Sequence, residues 1–348
     1  MLKKLLKVAL AACLAMGVSS VATAAENVQF SVQAQALIGQ VNPGTKDGAG
    51  DDNPAYLDSH ARNDFQFKFI SGKMYANGEI QTYYGGSQYQ TSRVNYTGSK
   101  IGYNMANPGQ FIEIGKIWIG APFSYEFDGV STAASDSWGY RSAWCCQSDW
   151  GIKYNMLLSP TMGIMAAYTT ATTMSGFGDG TSMGVSWWGI FGPLQARVGI
   201  DNESGKADTV KDSEAYPASF QYFGVMYAIN DMMSAGIDYQ SKSIDIGGYG
   251  LTAGDTWDDV EIALLFKAKQ LGPGDLNFQY ATDTRTYSAD ADSKIASTYM
   301  NLFYKIPLAK GAGVEIAYLT KSTVVTTAAG DGDPEGPTTV AGGFYAKF

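Results

Sequence analysis

The 348-residue chain has a mean hydropathy of −0.12, 13% aromatic residues, 41 glycines and a formal net charge of −9. Acidic overall and without a basic patch or an aromatic-basic motif, it is no partner for nucleic acid, whose phosphates are held by Lys and Arg. Beyond residue 24 no run of 18 apolar residues occurs, which excludes a membrane-spanning helix, and three cysteines are too few to build a disulfide framework.

The first element, residues 1–24, reads as a secretory signal. Lys3, Lys4 and Lys7 form a basic start, an apolar run from Val8 to Val21 follows, and Ala22-Thr23-Ala24 offers small residues for cleavage. Leu10-Ala11-Ala12-Cys13 also matches a lipoprotein processing box, but the apolar stretch before Cys13 is short and interrupted by Lys7. Cleavage after Ala24 leaves 21 Lys and Arg against 33 Asp and Glu, a mature net charge of −12. Such a surface repels anions and gathers cations within roughly 8–10 Å at physiological salt.

Period-two alternation begins at once, with Val28, Phe30, Val32, Ala34, Ala36 and Ile38 separated by Gln29, Ser31, Gln33 and Gln35. It returns along the chain and places sixteen strands at about 27–40, 63–71, 73–84, 92–104, 110–119, 149–158, 162–171, 181–190, 194–202, 216–228, 233–243, 256–268, 275–286, 294–306, 313–326 and 338–348. A soluble sandwich also alternates. The connections discriminate, because they are short and long by turns. Gly72, Ala106-Asn107-Pro108-Gly109, Ser159-Pro160-Thr161, Phe191-Gly192-Pro193, Asn230-Asp231-Met232, 270–274 and 307–312 are tight turns, whereas 41–62, 203–215 and 327–337 are long and acidic.

Short turns on one side and long loops on the other describe an all-β, transmembrane antiparallel β-barrel of about 16 strands, with short periplasmic turns and long external loops. Each run matches the ~9–11 residues a tilted strand needs to cross hydrocarbon, and closure leaves no backbone group facing lipid. Tyr83, Tyr84, Tyr103, Trp118, Trp187, Trp188, Phe223, Tyr304 and Phe344 fall near strand ends, where amphipathic rings form interfacial girdles. Lumen-facing positions should be polar.

The whole-chain pattern, the ending Gly343-Phe344-Tyr345-Ala346-Lys347-Phe348, and Ile114-Gly115-Lys116 before a long third loop resemble the Gram-negative general (trimeric) porin family. The resemblance implies a passive diffusion channel in the outer membrane and a homotrimer contacting lipid and lipopolysaccharide. It makes Phe348 the terminal signal for the barrel assembly machinery, and a third loop, roughly 120–148, folds into the lumen. Lys116 stands where the family commonly has Arg. Tyr125-Glu126-Phe127-Asp128-Gly129 is loosely similar to a family loop segment, although its Pro is absent.

A channel's behaviour reduces to the charges at its narrowest point, where loop acids facing wall bases create a transverse field. Candidate acids are Glu126, Asp128 and Asp136, and candidate bases are Lys68, Lys100, Lys116, Lys153 and Arg141. The acid surplus predicts a modest cation preference. Cys145 and Cys146 are adjacent, with Cα atoms ~3.8 Å apart, so they form either a strained vicinal disulfide or two separate thiols. No cofactor or metal is expected, since the Asp331 to Glu335 loop lacks ordered calcium-ligand spacing. The one histidine, His60, falls in the predicted first external loop and argues against an enzyme. A substrate-selective channel, with aromatic tracks or basic ladders, and a scaffold barrel around a partner protein are the alternatives.

Overall fold

The computed structural model describes residues 27–44, 54–85, 93–107, 109–118, 122–124, 148–171, 180–204, 218–245, 256–288, 290–327, 330–331 and 336–347. The strands are β1 (Asn27–Asn42), β2 (Tyr56–Ser71), β3 (Met74–Gly85), β4 (Arg93–Asn104), β5 (Phe111–Trp118), β6 (Ser148–Ser159), β7 (Met162–Ala171), β8 (Gly180–Phe191) and β9 (Leu194–Ser204), followed by β10 (Ala218–Ala228), β11 (Met233–Asp245), β12 (Thr256–Leu271), β13 (Gly274–Tyr287), β14 (Asp290–Ala309), β15 (Ala312–Thr327), β16 (Gly330–Asp331) and β17 (Thr338–Lys347).

From β1 to β15 each strand pairs antiparallel with the next, β15 pairs with β17, and β17 closes on β1 from Gln33↔Lys347 to Asn42↔Thr338. β16 only lengthens the β15 hairpin through Thr326↔Asp331 and Thr327↔Gly330. Sixteen strands thus seal into a cylinder, which removes the unpaired edge that hydrocarbon would not tolerate. Among the described residues no helix is long and apolar enough to cross a membrane.

The tight turns between β2 and β3, β8 and β9, and β10 and β11 lie where the sequence places them. Gly72 and Gly192 adopt φ of 57° and 60°, a region open to glycine and strained for residues with a Cβ. In the β10–β11 turn, Asn230 Oδ1 accepts the backbone N–H of both Met232 and Met233 at 2.8 Å, closing the turn without glycine.

Alternation becomes two faces. On β12, Val260, Ile262 and Leu264 are exposed on the outside, while Asp259, Glu261, Ala263 and Leu265 point inward and are at most 3% exposed. β15 repeats this, with Ile316 outside and Glu315, Ala317 and Leu319 inside. The outer residues meet lipid and the inner ones line the lumen.

Four expectations change. β2 begins at Tyr56 rather than near 63, so the first external loop is shorter and His60 lies on a strand, buried, with Nε2 3.1 Å from Asp58 Oδ2. β14 continues through Pro307 to Ala309. A register shift beside Pro307 lets a residue without an N–H sit in the ladder. Trp188 is not a girdle residue: adjacent strand residues face opposite ways, and its ring covers the inward Gly163 while Trp187 stacks on Phe191 outside. Nor is the inner face uniformly polar, since Leu37, Phe303, Ala317, Leu319 and Ala341 form a buried apolar patch across β1, β14, β15 and β17.

Candidate functional site

Glu113 organises one wall of the lumen. Flanking Ile112 and Ile114 require the outer face of β5, so Glu113 must point inward, where it is 3% exposed. Its Oε1 accepts the Tyr75 hydroxyl of β3 at 2.8 Å and lies 2.9 Å from Lys100 Nζ of β4; its Oε2 lies 2.6 Å from Lys153 Nζ of β6. Hydrogen bonds to a charged group contribute about 1.5–3 kcal/mol each, so one carboxylate fixes three side chains on three strands. Lys153 also sits 5.7 Å above the Phe111 ring.

Beside this hub is a cavity of about 510 Å³ lined by Lys68, Lys100, Lys116, Asn77, Glu79 and Gln66, among others. Register explains the convergence, because Lys68 pairs with Asn77 and Asn77 with Lys100, placing three inward side chains in one row across β2, β3 and β4. Lys100 pairs onward with Gly115, whose φ of 134° and close approach to the Ser99 carbonyl leave no room for a Cβ. Lys68 Nζ stands 5.2 Å over the Tyr75 ring. That contact orients the ammonium without neutralising it.

The start of the third loop reaches the β9–β14 side of the lumen. Phe123, 2% exposed, packs among Met226, Ala263, Leu265, Ala281 and Tyr299, with the Arg197 guanidinium 4.1 Å above its ring. The Ser124 N–H donates to Asp238 Oδ2 of β11, and the Gln240 amide donates to Ser124 Oγ at 2.8 Å and to Glu261 Oε1 at 3.0 Å. A Cβ at Gly224 would collide with Asp238 Oδ1 and Phe123, so the missing side chain makes room for the loop. The apolar inner positions of β10, β12, β13 and β14 are therefore a seat for Phe123.

Elsewhere the inner face is laced with ion pairs: Arg62 with Asp64 at 2.8 Å, Arg285 with Asp259 at 2.7 Å and Lys305 with Glu315 at 3.4 Å. A second cavity of about 340 Å³ brings Phe123 together with Trp188, Tyr222, Arg197, Gln195 and Met165. No group of three or more metal-ligating side chains occurs among the described residues.

Of the sequence candidates, Lys68, Lys100 and Lys116 share one cavity, and Lys100 and Lys153 share Glu113. Glu126, Asp128, Asp136, Arg141, Cys145, Cys146 and Phe348 lie outside the described residues. Sequence reasoning missed Glu113, Asp238, Glu261 and Glu315. Each is a lone charge between outward apolar residues, Ile112/Ile114, Ile237/Tyr239, Val260/Ile262 and Val314/Ile316, and that parity was the available signal.

No family model matches the chain, and no curated protein does. Solved structures do. The anion-selective porin of Comamonas acidovorans superposes with a TM-score of 0.63 at 17% identity, covering 92% of this chain and 99% of the other. The outer-membrane channel DcaP of Acinetobacter baumannii gives 0.60 at 13%, covering 92% and 97%. Salmonella typhi OmpF, in complex with daunomycin, gives 0.60 at 12% with the same coverage. Over nearly its whole length, the chain has the fold of the outer-membrane porins.

Proposed function

We propose that the protein is a passive channel for small hydrophilic solutes and ions across the outer membrane of a Gram-negative cell. One observation carries this reading: a closed sixteen-stranded wall, apolar outside and charged inside, is entered by Phe123 and Ser124 of the third loop. Sixteen strands enclose a lumen too wide for side chains to fill, so the loop and the charges facing it set what passes. Bilayer conductance of the refolded mature protein is the test. Ohmic current and size-limited sugar entry into vesicles support the reading, whereas absence of current refutes it.

The remaining assignments belong to the same reading. The signal at residues 1–24 directs export, and mass spectrometry of the membrane-extracted protein should find Ala25 at its start. A homotrimer is supported by a Vibrio cholerae OmpT whose structure is a trimer form, at 13% identity. The outward faces of β1 and β2 mix the large Val28, Phe30, Ile38 and Leu57 with the small or polar Ala34, Ala36, Ser59, Ala61 and Asn63. Lipopolysaccharide and the assembly machinery are the expected partners, and the fold matches are to channels, not enzymes. For monovalent ions the mature charge of −12 favours cations. The likeness to an anion-selective porin does not support that preference and at 17% identity shows the fold alone. A reversal potential in a KCl gradient decides it.

A further inference from the structure

We infer that the cavity beside Phe123, on β7–β10, is a stacking subsite for the ring of a neutral pyranose sugar in transit. The inference rests on the channel reading and adds to it a solute class and its residues. Trp188 is the plate. It points inward from β8, paired with Gly163 of β7 and Arg197 of β9. A Cβ at Gly163 would stand 2.7–2.9 Å from Nε1, Cε2 and Cζ2 of the indole, so the ring lies down on the wall where the neighbouring strand has no side chain. Its other face is turned to the cavity of about 340 Å³. That volume falls in the roughly 300–1,000 Å³ range of small-molecule sites. Tyr222 lies in the same way over Gly199, where a Cβ would meet its ring at 2.4 Å, and it bounds the far side. From Phe123 the cavity runs to Ile190 and Gln195, a pair next to the β8–β9 turn, so it lies on the short-turn side of the loop anchor.

The polar groups beside the plate are neutral. Ser186 precedes Trp188 on the same face of β8, and Gln195 stands on β9 between Ile190 and Met226. Among the described residues none hydrogen-bonds to Trp188 Nε1, the Ser186 hydroxyl or the Gln195 side-chain amide, and no ring or cation covers the indole face. Arg197 and Tyr222 are engaged elsewhere, Arg197 over the Phe123 ring, and they shape the cavity. An aromatic face is electron-rich and takes up a flat patch of weakly positive C–H groups. A pyranose chair carries such a patch on its face and hydroxyls around its edge, which can accept from the indole N–H and exchange hydrogen bonds with Ser186 and Gln195. An inorganic ion has no apolar face. An aromatic solute has the face without the hydroxyl rim. An open-chain polyol has the hydroxyls but must freeze several rotatable bonds before it presents a face, which weakens binding.

The test titrates D-glucose, sorbitol and nicotinamide against the KCl current of the refolded protein in planar bilayers, each trace corrected for the bulk conductivity of the same solution. Glucose should reduce the current saturably, and sorbitol, its open-chain counterpart, should need at least about fivefold more for the same effect. Trp188→Leu should weaken the glucose effect by about tenfold, and Trp188→Phe, which keeps a ring face, should retain most of it. Phe223→Leu, on the outer wall, should leave it unchanged. Equal potency of glucose and sorbitol on the wild-type channel, which involves no variant that could misfold, would overturn the subsite. So would an unchanged glucose effect in Trp188→Leu, and nicotinamide acting more strongly than glucose would overturn the sugar assignment. Absence of any ohmic KCl current would instead overturn the channel reading itself.

Discussion

The Asp238 carboxylate on β11 accepts the backbone N–H of Ser124, a residue 114 positions earlier in the chain. With Gln240 holding the same serine through its hydroxyl, the third loop is pinned at its entry into the lumen, before most of its length has been traversed. Asp238→Ala leaves a buried N–H without an acceptor, a destabilisation of about 1–3 kcal/mol. Single-channel recordings should then show more frequent partial closures and a lower closing voltage than wild type. Asp238→Asn, which keeps an acceptor, should fall between the two.

Gly224 makes a second route to the same effect. A methyl group there would meet Asp238 Oδ1 at 1.8 Å and Phe123 Cδ2 at 2.9 Å. Gly224→Ala should therefore push the carboxylate off Ser124, destabilise the folded barrel by about 1–3 kcal/mol, and reproduce the flicker of Asp238→Ala. Urea unfolding in detergent, read by tryptophan fluorescence, measures the first effect and current recordings the second.

Glu113→Gln removes the one carboxylate that Lys100 and Lys153 share. Both ammoniums then face the lumen with less compensation. The reversal potential in a KCl gradient should move towards that of chloride. Folding stability should fall by about 1–3 kcal/mol, because a neutral amide with one accepting oxygen cannot replace the two anionic oxygens that hold the two ammoniums. An unmoved reversal potential would show that this hub does not face the ion path.

Leu264 is half-exposed on the outer face of β12, beside the inward Leu265. Leu264→Arg should reduce the equilibrium of folding into lipid vesicles by about 2–4 kcal/mol if the position lies near the bilayer midplane. The same substitution should be better tolerated in detergent micelles, which deform around a charge.

The strands were legible because period-two alternation and Gly- or Pro-bearing turns are local signals. β2 shows where that legibility ends. Its inward Asp58, His60, Arg62 and Asp64 alternate with Leu57, Ser59, Ala61 and Asn63, and an outer face so weakly apolar reads as a loop. Outward side chains that are small or polar, like Ser59, Ala61 and Asn63, leave little hydrophobic rhythm. The loop anchor was hidden for a different reason: Phe123 and Asp238 meet only because the cylinder closes, and no pattern within either segment announces the other. The basic candidates were identified by residue type, and the acid that gathers two of them was overlooked because acids were sought in the loop rather than on the wall.

The seam between β17 and β1 joins the first and last described strands into one ladder. β15 and β1 both depend on Thr338–Lys347 for a partner, so a sheet lacking this strand would have two raw margins. Such a sheet has nowhere to hide its amide groups from lipid. One ten-residue strand with two neighbours is in this way the keystone of the cylinder: a row of amide groups on each of two other strands waits on it.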